Sequence, residues 1–291
     1  MSGKLKVSTV ILIVVCIVGL CLLLYPSFSN YYNRTFATHA IVDYQKKIEE
    51  IKEEDFEDLW EEAKAYNADL ASERVDFVIP EEMRARYKAC LSLTEGGLIG
   101  YIEIPKIRQT LPIYHGTSDE VLQNAIGHLE WSSLPTGGIG THCALSGHRG
   151  LVNAKLFSDL DMLREGEVFM LNILGETLTY EVDQIRTVNP NEMQDLVIDP
   201  EKDYCTLITC TPYGINTHRL LVRGHRVENA FNGANVISEA VLIDQEMVAL
   251  CLAVPLLFVL CLVILFKKPK PKKQKITLQD FQNRKETEDR I

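Results

Sequence analysis

The chain has 291 residues, 46% hydrophobic and 24% charged, which excludes a disordered, collagen-like or low-complexity protein. Its formal charge is −10, but the sign is unevenly spread: Lys4 and Lys6 stand at one end, and 267–291 carry 9 Lys/Arg against 4 Asp/Glu. Between them acids outnumber bases 36 to 19, the opposite of a nucleic-acid-binding domain.

No charge occurs between Lys6 and Arg34, and 10–24 is almost wholly apolar. A second charge-free run, 247–266, is followed by Lys267-Lys268-Pro269-Lys270-Pro271-Lys272-Lys273. About 20 apolar residues span a bilayer, so both runs are expected to be transmembrane helices. A cleaved signal peptide is the alternative for the first. That run is long for a signal peptide, and Tyr25-Pro26-Ser27-Phe28 is a poor cleavage site, which favours an uncleaved anchor. Positive charge outside both runs places both termini in the cytoplasm and 27–246 outside the cell membrane.

Cys16, Cys21, Cys251 and Cys261 fall in the apolar runs and read as small fillers. Cys90, Cys143, Cys205 and Cys210 fall outside them, with no CxxC or paired His/Cys spacing, so neither a disulfide scaffold nor a metal site is expected.

Residues 36–72 repeat Ile41, Tyr44, Ile48, Ile51, Phe56 and Leu59 at roughly helical spacing among Glu and Lys. They read as a spacer between membrane and domain, as a helix packed on that domain, or as both. From Gly97 the pattern becomes short strands between turns: 100–104, 110–115, 141–147, 168–174, 177–188, 204–210 and 219–227, with short helices at 120–125 and 155–163. Such a series predicts a mainly β barrel or sandwich.

Chemistry-bearing residues gather in three places. Ser146-Gly147-His148-Arg149-Gly150 ends one strand, and Thr206-Leu207-Ile208-Thr209-Cys210-Thr211-Pro212 ends another. Asn216-Thr217-His218-Arg219 opens the last. A cysteine at a strand end is rigidly aimed yet accessible, as a nucleophile must be. If the last two strands form a hairpin, Arg219 lies close to Cys210, where an arginine can stabilise a thiolate or an oxyanion, or hold a substrate carbonyl.

This ordered set resembles the sortases, cysteine transpeptidases tethered outside Gram-positive cells. The TLxTC strand end is Thr206–Cys210, with His148 upstream and Arg219 downstream. Gly100-Tyr101-Ile102-Glu103-Ile104-Pro105, Leu111-Pro112-Ile113-Tyr114-His115-Gly116 and Cys210-Thr211-Pro212-Tyr213-Gly214 resemble the class C, pilin-polymerising branch, as do the two membrane segments. The resemblance covers roughly 97–227 and implies a closed sortase-type β-barrel with short helices, preceded by a helical region and flanked by two transmembrane helices. The implied organisation is a cytoplasmic N-terminus and anchor (1–26), a helical region with a degenerate lid (27–95) and a catalytic barrel (96–230). A linker (231–246), a second transmembrane helix (247–266) and a basic cytoplasmic tail (267–291) follow.

The resemblance further implies Cys210 as nucleophile, His148 as acid–base, Arg219 as oxyanion and substrate holder and Thr209 as substrate-binding. The implied partners are LPxTG-type surface or pilin proteins, an amine acceptor (a pilin lysine or cell-wall peptide) and the membrane. Neither a cofactor nor a metal is implied. The alternatives are a sortase that anchors proteins to cell-wall peptide amines and a non-catalytic membrane-anchored assembly module.

Class C enzymes carry an Asp-Pro-aromatic lid. The corresponding stretch here is Asp76-Phe77-Val78-Ile79-Pro80, with no proline between acid and aromatic. Asp76, Phe77 and Pro80 are the lid candidates, and the cleft is expected to be open or only loosely covered. Of the other histidines, His218 is the best rival base, and His115, His128, His142 and His225 read as structural or surface residues. Leu134-Pro135-Thr136-Gly137 lies mid-domain and reads as a turn. Cys205 is five residues from Cys210, an odd offset that turns it to the opposite face of the strand.

Overall fold

The structure is a computed structural model that describes residues 7–73, 77–94, 96–229 and Pro255. Lys4, Lys6, Asp76, the linker 231–246 and the tail 267–291 lie outside the described residues, as does the second expected membrane segment apart from Pro255. The chain divides into two compact units. One takes Met1–Ile17 and Val236–Ile291, and its described residues are helical. The other, Val18–Asn235, holds the rest of the first helix and the whole barrel.

Helix α1 (Val7–Glu50) contains the one apolar stretch among the described residues long enough to cross a membrane, with a mean hydropathy of 1.7. After Ile51 and Lys52 the chain turns into α2 (Glu53–Glu73), which buries Trp60, Ala63, Asn67 and Leu70, one face at 3–4-residue spacing. A third helix, α3 (Glu81–Ala89), lies inside the expected helical region 27–95 but beyond the periodic stretch 36–72. It is short and strongly polar, but Glu81 and Glu82 in its first turn and Arg86 and Lys88 in its last complement the helix dipole. Met83 and Tyr87 hold it to the core.

Eight strands close a barrel in the order β1-β2-β3-β4-β7-β8-β6-β5. They are β1 (Leu98–Ile104), β2 (Gln109–His115), β3 (Ile126–His128), β4 (Thr141–Ser146), β5 (Val168–Ile173), β6 (Glu176–Val188), β7 (Asp203–Thr211) and β8 (His218–Val227). Seven follow the alternation and turn signals of the sequence. The three residues of β3 are too few to show a period; they sit parallel to β2 and antiparallel to β4. The expected helix at 120–125 is a single turn, α4 (Asp119–Leu122), capped by the Ser118 side chain. The one expected at 155–163 is reduced to a 3-10 turn at Leu160–Met162.

Leu145, Phe169, Leu171, Tyr180, Leu207 and Val222 fill the barrel. The helical region packs on this core. Tyr44 is fully buried, its hydroxyl donating to Ile99 O at 2.5 Å and accepting from Leu174 N at 2.9 Å. Asn67 holds the turn before β4, donating to Leu134 O at 3.0 Å and accepting from Leu134 N at 2.7 Å. Of the two readings of 36–72, the packed helix describes what these contacts do. Lys47 Nζ already reaches Leu93 O at 3.2 Å, so the segment bears on the barrel domain.

Candidate active site

The site is built on three neighbouring strands. Strands β4 and β7 run parallel, with Ser146 opposite Ile208. The pairing continues past the end of β4: Gly147 N donates to Ile208 O at 3.0 Å, and the Thr209 hydroxyl donates to Gly147 O at 2.8 Å. His148 and Cys210 each lie two residues beyond the Ser146–Ile208 pair, at the same end of the two adjoining strands. On the other side β7 pairs antiparallel with β8, and Cys210 stands directly opposite Arg219. The hairpin expected from the sequence is formed.

Gly147 is a steric requirement. A Cβ there would lie 2.6 Å from Ile126 Cδ1 and 2.7 Å from the Phe157 ring. Only glycine lets the chain leave β4 this close to the core and carry His148 out of it.

Strand alternation separates the cysteines. Cys205 points into the barrel with Leu207, fully buried, and burial raises its thiol well above the ordinary range. Cys210 shares a face with Ile208 and is partly exposed. Ile208, Leu221, Ala144, Val188 and Leu196 form a second apolar cluster beside it, outside the barrel. Cys90, Cys143, Cys205 and Cys210 are all free thiols.

The chain has seven histidines, and their bonding separates them. His128 Nε2 donates to Ser133 O at 2.8 Å and Nδ1 meets Tyr87 Oη at 2.9 Å. His142 is buried between Val197 O at 3.0 Å and Thr206 Oγ1 at 2.7 Å, and burial lowers its pKa, so the ring is neutral. His39 and His115 engage backbone carbonyls, His218 meets Thr217 Oγ1 at 2.9 Å, and His225 lies 3.9 Å from Asp183. Among the described residues the His148 ring alone has no such partner, and it is partly exposed.

Arg219 Nη1 donates to His218 O at 3.1 Å and Asn216 O at 3.4 Å, and no described carboxylate pairs with it. Its charge therefore remains available to an anion or a carbonyl beside Cys210. Arg149, which the sequence reading passed over, is a further part of the site. Its side chain is only 8% exposed and pairs with Asp161. Nη1 reaches Thr211 Oγ1 at 3.3 Å and the guanidinium lies 5.7 Å from the Tyr213 ring centroid. The residue after His148 is thus tied to the residues after Cys210.

Thr209, expected to bind substrate, is buried with its hydroxyl committed to Gly147 O. The geometry gives it a bracing role between β4 and β7. Pro80 is the residue that begins α3, and its carbonyl accepts from Arg84 N at 3.0 Å. Phe77 lies against Trp131, at the margin of the apolar cluster beside Cys210. No group of three or more His, Cys, Asp or Glu among the described residues is arranged to hold a metal.

A Sortase domain family model matches residues 102–227. Sortase D of Bacillus subtilis is 31% identical over 147 residues, which cover 50% of this chain and 71% of that protein. Sortase A of Bacillus anthracis is 27% identical over 225 residues, 77% of this chain and 97% of the relative. The chain belongs to the sortase family. It is a cysteine transpeptidase, and its similarity among solved structures is to the class C branch. Sortase C1 of Streptococcus agalactiae is 53% identical with a TM-score of 0.64, covering 66% of this chain and 99% of that one. Clostridium perfringens sortase C, solved with the C-terminal cell wall sorting motif, is 47% identical with a TM-score of 0.59, covering 66% and 100%.

Proposed function

We propose that this sortase cleaves an LPxTG-like sorting signal and joins it to a pilin lysine, building a pilus. The observation that carries the reading is that Cys210 stands opposite Arg219, with His148 just past the end of the adjoining strand β4. The Cys210 thiolate attacks the Thr–Gly carbonyl carbon. Arg219 stabilises the oxyanion, and the C–N bond breaks as protonated His148 gives its proton to the leaving amine. The product is a thioester acyl-enzyme. The lysine amine then attacks the thioester, a new C–N bond forms, the thiolate leaves and His148 takes the amine's proton.

The 53% identity to a sortase C1 and the 47% identity to the Clostridium sortase C solved with a cell wall sorting motif support this substrate class. Helix α1 anchors the enzyme, with both termini cytoplasmic and the barrel outside. One observation favours attachment to cell-wall peptide amines instead, namely the missing proline between Asp76 and Phe77.

The test is Cys210→Ala. The full chain in detergent is expected to cleave an LPxTG peptide and to join it to a lysine-bearing pilin domain, and the variant to do neither while melting normally. Wild-type turnover by the variant removes the assignment. Transfer to a cell-wall peptide but not to the pilin domain selects the second reading.

A further inference from the structure

Beyond Leu24, α1 has two unlike faces. Asn30, Asn33, Ala37, Ile41 and Tyr44 recur at 3–4-residue spacing on one, and Ala37, Ile41 and Tyr44 are buried. Tyr25, Phe28, Tyr32 and Phe36 occupy the opposite face and are exposed. The buried face begins at once. Asn30 Oδ1 accepts from Lys155 N at 3.2 Å, and Asn33 Nδ2 donates to Asn153 O at 2.8 Å. Both acceptor and donor partners lie on the connection that follows His148, whose own carbonyl accepts from Phe157 N at 3.2 Å. From Leu24 to Asn30 is six residues, about 9 Å of helix. No stalk separates the apolar run from the loop that carries His148.

That loop and the turn after Cys210 form one apolar rim. Val152 is 63% exposed, Tyr213 61% and Ile215 68%. The two segments that carry them meet: a Cβ on Gly150, two residues before Val152, would lie 3.3 Å from the Tyr213 ring. Contiguous exposed apolar side chains mark a contact surface, and aromatic rings on a helix leaving a bilayer gather at the headgroup level. The rim is bonded to that stretch of helix through Asn153 and Lys155.

We propose that Val152, Tyr213 and Ile215 rest on the outer leaflet, so that the His148–Cys210 end of the barrel opens at the bilayer surface. The partner is the lipid interface itself. The inference rests on the reading of α1 as a membrane anchor. It gives the enzyme a preference for sorting signals displayed within a few residues of a membrane. The opposite end of the barrel supplies an internal control. Ile139 is 79% exposed in the turn where Gly138 N bonds Asp203 Oδ2, and Asp203 begins the strand that carries Cys210 seven residues on, about 23 Å away.

The full chain is placed in phosphatidylglycerol–phosphatidylcholine vesicles containing chain-brominated phosphatidylcholine, and quenching beyond that of native Trp60 and Trp131 is measured. Tyr25→Trp and Val152→Trp are expected to be quenched, and Ile139→Trp to be spared. Quenching of Tyr25→Trp with Val152→Trp no more affected than Ile139→Trp overturns the rim and leaves the anchor standing. Escape of Tyr25→Trp removes the anchor and the rim together. In a second arm, Val152→Glu is expected to slow cleavage of a lipid-tethered LPxTG peptide in vesicles about tenfold while cleaving the soluble peptide normally. Equal loss on both peptides, or no loss on the tethered one, counts against the rim.

Discussion

The ring of Phe77 meets that of Trp131 edge-on, with centroids 4.9 Å apart and planes at 87°. Phe77 takes a positive φ of 53°, a conformation that costs a non-glycine residue about 1–2 kcal/mol and persists only where its surroundings hold it. Part of the hold is nearby. Arg84 of α3 grips Glu130, the neighbour of Trp131, through Nε at 3.2 Å and Nη2 at 3.1 Å. An edge-to-face pair adds about 0.5–1.5 kcal/mol, enough to shift an open–closed ratio about two- to tenfold. Phe77→Ala is therefore expected to speed alkylation of Cys210 by a small thiol reagent by that factor. An unchanged rate would mean that this segment does not screen the cysteine.

Arg149 follows His148 in the chain and touches Asp161, Thr211 and Tyr213, the last two just beyond Cys210, so it is placed to act through others. Truncating it leaves polar partners unmatched, at a cost of about 1–3 kcal/mol. Arg149→Met is expected to lower kcat about tenfold or more with little change in KM, and Arg149→Lys to recover part of the loss. A rise in KM alone would place Arg149 against substrate rather than behind the catalytic pair.

His115 is expected to make the barrel less stable in acid. Its Nδ1–H donates to Gly97 O at 3.0 Å, and its Nε2 is buried with no partner among the described residues. Burial, then the nearby His128, hold its pKa down to about 4 from 6.5. Folded protein thus binds fewer protons than unfolded protein between those values. The contribution is fully present above about pH 6.5 and is lost as pH falls toward 4. At 1.36 kcal/mol per pH unit the ceiling is about 3 kcal/mol. Urea unfolding at pH 7, 5.5 and 4.5 is expected to show that decline, flattened in His115→Gln. An equal slope in the variant would assign the acid lability to other groups.

The parts legible in the sequence share a local cause. The seven longer strands announce themselves through alternation and bounding turns. Cys210 and Arg219 are nine residues apart on a hairpin, so their pairing follows from local geometry. The register of Ser146 on Ile208 joins residues 62 apart, and no local pattern encodes it. The bond from the Thr209 hydroxyl to Gly147 O, just past the end of that distant strand, has no local signature for the same reason. Helix α3 is held by Met83, Tyr87 and the Arg84–Glu130 pair, tertiary contacts that a nine-residue polar stretch does not advertise.

The parallel seam between β4 and β7 also sets an order of events. Strand β7 lies between β4 and β8 in the closed barrel, and more than fifty residues separate the end of β4 from its start. Closing so long a loop is slow and must precede any gain from the pairing. A nascent chain that has emerged only as far as β6 holds His148 but no thiol beside it, and one that stops at Thr211 has Cys210 without Arg219. Under the proposed roles, the site is therefore complete only once β8 has added its edge, and a partly made chain is chemically silent toward the peptides around it.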